Sequence, residues 1–348
     1  MKAFVTGRGL ISPGGRTPDA LATGFDTGLP GRTGAVSGFS GEAPDGATKR
    51  GALDRGTALA AEAARAALAD AGLEIAKLSA ERLGIVLASH HASVALLAAA
   101  VTDSICPCPI CLAAATNPVN LRLPAPVGMC DIWYRMRSLT AKVSGGYLSG
   151  LLALRRALDE MEAGHAHTLL VGAGEELPAS ARRGGDGNAA TGKRAALTEC
   201  GVFLVLEDES HARVGGRRIH AEVLGCVVDH DPAVAEKAAP RRLVGRLTEL
   251  FAKSGIKASD VSTVITSGLG HPLVDAYEAA AVEATFFRSR PNLLEVVPFV
   301  GNTMSGLNLV QTLAGLAYDE KHDIRGPVLV VSADPSGQVG AGLFARAA

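Results

Sequence analysis

The stretch Ser149-Gly-Leu-Leu-Ala-Leu-Arg-Arg-Ala-Leu-Asp-Glu-Met-Glu-Ala-Gly-His-Ala-His-Thr-Leu-Leu-Val-Gly-Ala-Gly-Glu175 runs a helix straight into a strand. Leu151, Leu154, Leu158 and Met161 recur at intervals of three and four, the spacing of one helical face, with Arg155, Arg156, Asp159 and Glu162 on the other. Gly164 stands where a left-handed cap belongs. Thr168–Val171 then reads as a short apolar strand of the kind buried on both faces.

The same alternation extends in both directions. Phe4–Thr6, Ile85–Ala88, Val202–Leu206, Val264–Thr266 and Val328–Ser332 are further short apolar runs with helical stretches between them, the pattern of an α/β protein. Residues 52–71 are alanine-rich, with Leu59, Ala63, Ala67 and Ala71 on one face and Gly72 as the expected cap. The polar, glycine-rich stretches 12–50 and 182–195 read as loops. Gly201-Val-Phe-Leu-Val-Leu and Gly340-Ala-Gly-Leu-Phe-Ala are similar strands, each closing a strand–helix–strand series. They predict two related α/β halves, 1–207 and 208–348, within one continuous unit.

With 348 residues, 47% of them hydrophobic and 20% charged, the chain can bury a substantial core. A net charge of −1 gives no support for nucleic acid or an anionic membrane as a partner. The start lacks the long apolar stretch of a signal peptide, and no apolar window is long enough to span a bilayer, so a cytoplasmic protein is expected. Six cysteines then read as reduced thiols. Cys106-Pro-Cys108-Pro-Ile-Cys111 invites a metal reading, but zinc would want a fourth ligand and wider spacing, so no metal is expected there. Gly7-Arg-Gly9 follows a strand without the third glycine and helix of a dinucleotide loop, and no cofactor is expected.

Several segments resemble β-ketoacyl synthases, in that family's order. They are Val5-Thr-Gly-Arg-Gly-Leu-Ile-Ser-Pro-Gly-Gly15, Ser149-Gly150 with its helix, and Leu169-Leu-Val-Gly-Ala-Gly-Glu175. Glu199-Cys-Gly-Val-Phe-Leu-Val-Leu-Glu207, Gly268-Leu-Gly-His-Pro-Leu-Val-Asp275 with Glu278, and Asn302-Thr-Met-Ser-Gly306 follow. The resemblance implies a thiolase-like fold, two related halves in a layered αβαβα arrangement.

The resemblance fails where the family does its chemistry. Its nucleophilic cysteine sits at a helix start that favours the thiolate, and Tyr147 stands there. A phenol titrates near ~10 and has no base close in sequence. The family's first histidine falls on Ser267, its lysine on Asn302 and its second histidine on Leu307, which cannot donate a hydrogen bond. Four cooperating groups are replaced, so no residue of this chain is expected to be catalytic. Tyr147 reads as a space-filling aromatic, His271 as a loop histidine, and Cys130 and Cys200 as buried thiols. Asp275 and Glu278 read as support for the helix that follows them.

The family includes inactive ketosynthase-like subunits, the chain-length factors of type II polyketide synthases. The resemblance to these implies a heterodimer with a catalytic ketosynthase and, through that complex, work with an acyl carrier protein. Chain-length factors of aromatic pathways carry glutamine where Tyr147 stands. In the family, the segment after the second core strand lines the partner's acyl tunnel. Here His91, Val94, Ala98 and Val101 share one helical face of that segment. Ordinary interface packing accounts for the same residues. Two other readings remain at this level: an active acyltransferase with an unrecognised nucleophile, and a homodimeric acyl-carrier-binding protein.

Overall fold

In the computed structural model, which describes residues 1–28, 32–39, 55–74, 83–90, 138–177, 196–214 and 216–347, the apolar runs become strands of one ten-stranded sheet. In the first half they are β1 (Ala3–Ile11), β2 (Leu83–Ala88), β3 (Thr140–Val143), β4 (Thr168–Glu175) and β5 (Cys200–Asp208). The second half supplies β6 (Ala221–His230), β7 (Thr263–Thr266), β8 (Asn292–Glu295), β9 (Pro327–Ala333) and β10 (Gln338–Arg346). Their order across the sheet is β3-β2-β4-β5-β1-β6-β10-β9-β7-β8. Counted outward from the centre, each half therefore runs first, fifth, fourth, second, third. The directions match as well. The outer three strands of each half are parallel, and the inner pairings are antiparallel. The halves join through Ala3–Val5 of β1 against Ala221–Val223 of β6.

Among the described residues the helices are α1 (Pro18–Thr27), α2 (Arg55–Asp70), α3 (Ser149–Glu162), α4 (Glu209–Val214), α5 (Ala233–Glu236), α6 (Arg241–Ser254), α7 (Pro272–Thr285), α8 (Val297–Val300) and α9 (Leu307–Lys321). Helix α2 covers β1, β4 and β5. Helices α3 and α9 touch each other and strands of both halves, and α6 and α7 cover the second half from outside. This is the layered αβαβα arrangement that the sequence implies. Two expectations need correction. The stretch read as a loop from residue 12 contains α1, because Pro18 fits the first turn of a helix and Leu21, Ala22 and Phe25 share one face. The edge strands β3 and β8 carry no apolar run, since most of their residues are half-exposed or exposed and pairing alone makes them strands.

Small residues set how closely α2 approaches the sheet. Ala60, Ala63, Ala64 and Ala67 are fully buried on its inner face. Opposite them stand Gly7, Gly9, Gly174 and Gly201. A Cβ on Gly9 would lie 1.9 Å from the Ala63 carbonyl oxygen, and one on Gly201 2.2 Å from that of Leu59. Both obstacles are backbone, so a larger residue must push the helix off the sheet.

Gly9→Ala should therefore destabilise the fold by about 1–3 kcal/mol or more, read from the denaturant midpoint. Gly245→Ala, on the exposed side of α6 with nothing within 4 Å of the added methyl, should stabilise it by up to about 1 kcal/mol.

Candidate functional site

Helices α3 and α9 both start deep in the protein, each after a single 3-10 turn, Gly146–Leu148 before α3 and Met304–Gly306 before α9. Each turn opens on a residue in the left-handed region: Gly146 at φ 57° and Met304 at φ 53°. Glycine is required at 146 for a second reason, because a Cβ would lie 2.4 Å from Asp334 Oδ2. Met304 is held in that conformation by Asn302, whose Oδ1 accepts the Met304 N–H at 2.9 Å.

The four family positions lie around this meeting of helix starts. Tyr147 is half-buried in the first turn and packs against the core, and its backbone N–H donates to Asp334 Oδ2 at 2.9 Å. Asp334 follows Ala333 at the end of β9, and the Ala333 N–H donates to Glu278 Oε1 at 2.8 Å. Glu278 also accepts the Ser267 hydroxyl at 2.8 Å and the Ser267 N–H at 2.9 Å. Leu307 is fully buried as the first residue of α9. Asn302 is buried, and its carbonyl accepts the Thr198 N–H at 2.9 Å, which ties the loop ahead of β5 to the site. At the far side, Glu175 Oε1 accepts both the His90 N–H and the Ser305 hydroxyl.

Many of these groups are bonded to one another, whereas the neighbouring Thr303 Oγ1 and Ser332 Oγ are buried without a hydrogen-bond partner. Neither Leu307 nor the Asn302 oxygen already bonded to Met304 can offer a proton to a substrate carbonyl. Cys200 lies beside Gly306, but it is fully buried, and burial together with the nearby Glu175 charge pushes its thiol pKa up. Burial pushes Cys226 up to about 12, and its Sγ donates to the Leu151 carbonyl. Neither is a thiolate at neutral pH. His271 is the N-cap residue of α7, and its Nδ1 is buried without a hydrogen-bond partner. Asp275 supports α7 as expected, taking the Leu269 and Gly270 N–H groups. Burial and the nearby Glu295 hold its pKa up. Glu278 does something else: it joins the ends of β7 and β9, which its position on α7 could not reveal. His91, Val94, Ala98 and Val101 and the cysteines at 106, 108, 111 and 130 fall outside the described residues.

Glu278 is completely buried with hydroxyl and amide donors, and burial outweighs them, raising its pKa from 4.5 to about 8. Between about pH 4.5 and 8 the folded protein keeps a proton that the unfolded chain has lost, so stability falls as pH rises through that window. Glu278→Gln should lose less stability across the same window, by on the order of a few kcal/mol, in denaturant titrations at a series of pH values. Parallel stability curves for the two proteins would mean that Glu278 ionises normally.

Comparison with known proteins finds similarity to β-ketoacyl synthases. Residues 220–303 match the β-ketoacyl synthase C-terminal domain. Over 124 residues, 35% of this chain, the sequence is 34% identical to erythronolide synthase EryA2 of Saccharopolyspora erythraea; the match spans 3% of that much longer protein. The fold is shared along the entire length with the ishigamide ketosynthase/chain length factor, at a TM-score of 0.80 and 23% identity, covering 100% of both chains. It is shared equally with a ketosynthase of the AntDE:AntF complex, a type II polyketide synthase acyl-carrier protein with its ketosynthase bound to the hexaketide. There the TM-score is 0.78 and the identity 18%, over 99% of both chains. No described helix is long and apolar enough to cross a membrane. The match over residues 220–303 and the sequence likeness over 35% of the chain are to β-ketoacyl synthases, and the architecture along the whole chain is the fold of these solved structures.

Proposed function

We propose that this chain is a non-catalytic ketosynthase-like subunit, a chain-length factor. In this reading it pairs with a catalytic β-ketoacyl synthase and serves, through that complex, an acyl carrier protein. The observation that carries the reading is the occupation of all four catalytic places by groups that cannot perform the steps. Condensation needs a thiolate to take the acyl group and donors to stabilise charge on a thioester oxygen. None of Tyr147, Ser267, Asn302 and Leu307 is a thiol or an imidazole, Leu307 has no donor, the Ser267 hydroxyl is given to Glu278, and the described cysteines are buried thiols. The fold around them is intact, as expected of a protein retained for assembly.

The edge strand β3 favours pairing as the role. Among the described residues it bonds to β2 on one side only, and it ends four residues before Tyr147. A partner joining at this edge would bring its own helix start close to this one. Two inactive copies would gain nothing by such pairing, whereas a pseudo-symmetric heterodimer keeps one working site. The two halves, 1–207 and 208–348, are proposed to act as one rigid unit in that assembly. Two proteins of the same fold, a ketosynthase/chain length factor and a ketosynthase with its carrier protein, are consistent with such partners.

Incubated alone with acyl- and malonyl-thioesters, the chain should gain no covalent mass and release no carbon dioxide. Co-expressed with a cysteine-bearing ketosynthase, it should purify as a one-to-one complex. A stoichiometric acyl adduct on one of its own residues would overturn the non-catalytic reading, and a monomer that ignores the ketosynthase would overturn the pairing.

The segment bearing His91, Val94, Ala98 and Val101 is proposed to line the acyl tunnel, on the strength of its run of small side chains after β2. Each methylene of a growing chain gains about 0.8 kcal/mol on burial, so blocking two positions shifts a product distribution measurably. Ala98→Trp should shorten the products of the assembled complex without weakening assembly; unchanged products would assign the segment to packing.

A further inference from the structure

We propose that His167, Asp208 and His211 form a binding site for one divalent transition-metal cation of the zinc type. Asp208 closes β5, His211 lies three residues on in the first turns of α4, and His167 directly precedes β4. Antiparallel pairing of β4 with β5 sets Thr168 opposite Glu207, which brings His167 alongside Asp208. A spacing of three along the start of α4 turns His211 to the same side. The ligand atoms of all three residues lie within 4.8 Å of one another.

Both imidazoles aim the same nitrogen at one carboxylate. His167 Nδ1 is 2.5 Å from Asp208 Oδ2, and His211 Nδ1 is 2.8 Å from Oδ1. The rings stack at 4.6 Å with 20° between their planes. Ser210 Oγ stands 2.7 Å from Asp208 Oδ1 and 3.0 Å from His211 Nδ1, a neutral oxygen at the edge of the same cluster. Two imidazoles and a carboxylate are the donor set that zinc takes at about 2.0–2.2 Å, with a fourth place left for water or a hydroxyl. Binding requires each neutral ring to carry its proton on Nε2 and turn its Nδ1 lone pair to the metal; no net proton is released from the rings.

The electrostatics favour a cation. Asp208 is buried, and its two carboxylate oxygens each face one of the imidazoles. The nearby Arg217 is matched by Glu207 at 3.0 Å and reaches only the His211 backbone carbonyl. His167 and His211 are partly exposed, which leaves an entry path for the ion. The cluster sits at the start of β4, whereas Glu175 at its other end borders the helix-start site eight residues away. The inference therefore stands or falls independently of the chain-length-factor reading.

The test is to load the full chain with zinc, desalt it and count metal by elemental analysis. The wild type should keep one equivalent, and its thermal midpoint should rise with added zinc. His167→Gln and His211→Gln should each weaken retention at least tenfold, because losing even an outer-sphere partner of a ligand costs about 10–100-fold. Both apo variants should melt as the wild type does. A variant replacing Cys106, Cys108 and Cys111 by serine should keep the metal, and the cobalt(II) form should show no thiolate charge-transfer band. No zinc retained by the wild type, retention by either histidine variant equal to the wild type's, or loss with the cysteine replacements would overturn the site.

Discussion

A helix that begins inside a protein must satisfy backbone N–H groups that have no partner within the helix. In this molecule α3 begins there, and the Leu151 N–H is one of those donors. Asn308, on the second turn-start of α9, accepts it at 3.2 Å. The Asn308 amide then donates to Gln311, and the Gln311 amide reaches the carbonyls of Ile265 in β7 and Val331 in β9. Asn308 and Gln311 are fully buried, so a break anywhere along this line would strand a polar group away from water. Gly150 permits the close contact, with an added Cβ only 3.1 Å from that of Asn308. The line fixes where the two 3-10 turns meet, and so where Tyr147 and Leu307 stand relative to each other.

The same accounting applies around the helix starts, where many polar groups are aimed at one another. Asn302 restrains Met304, Ser267 and Ala333 engage Glu278, and the Tyr147 turn is tied to Asp334. A buried carboxyl without a cation beside it prefers its proton, as the raised pKa of Glu278 reflects. The fold also rests on the glycine–alanine contact under α2 and on the amide line between α3 and α9, neither of which involves Tyr147, Ser267, Asn302 or Leu307.

Much of the architecture could be read along the chain because it depends on local patterns. The strands at Phe4–Thr6, Ile85–Ala88, Thr168–Val171, Val202–Leu206, Val264–Thr266 and Val328–Ser332 are buried apolar runs, and each lies within an observed strand. Helices α2 and α3 were visible in their three-and-four spacing and their capping glycines, Gly72 and Gly164, both in the left-handed region. What escaped were elements whose identity is a matter of pairing. The edge strands β3 and β8 are mostly half-exposed or exposed, and β6, whose run Val223–Val228 is apolar but largely half-buried, was not read as a strand.

The sequence by itself determined the alternation of strands and helices and the duplicated closing strands, because each is carried by neighbours within a few residues. Only the tertiary structure decided which distant groups share a partner. Glu278 meets Ser267 and Ala333 because α7 packs beside the ends of β7 and β9. His167 meets Asp208 across 41 positions because β4 and β5 run antiparallel in that register. Such encounters are set by strand order and helix placement, and no local spacing encodes them.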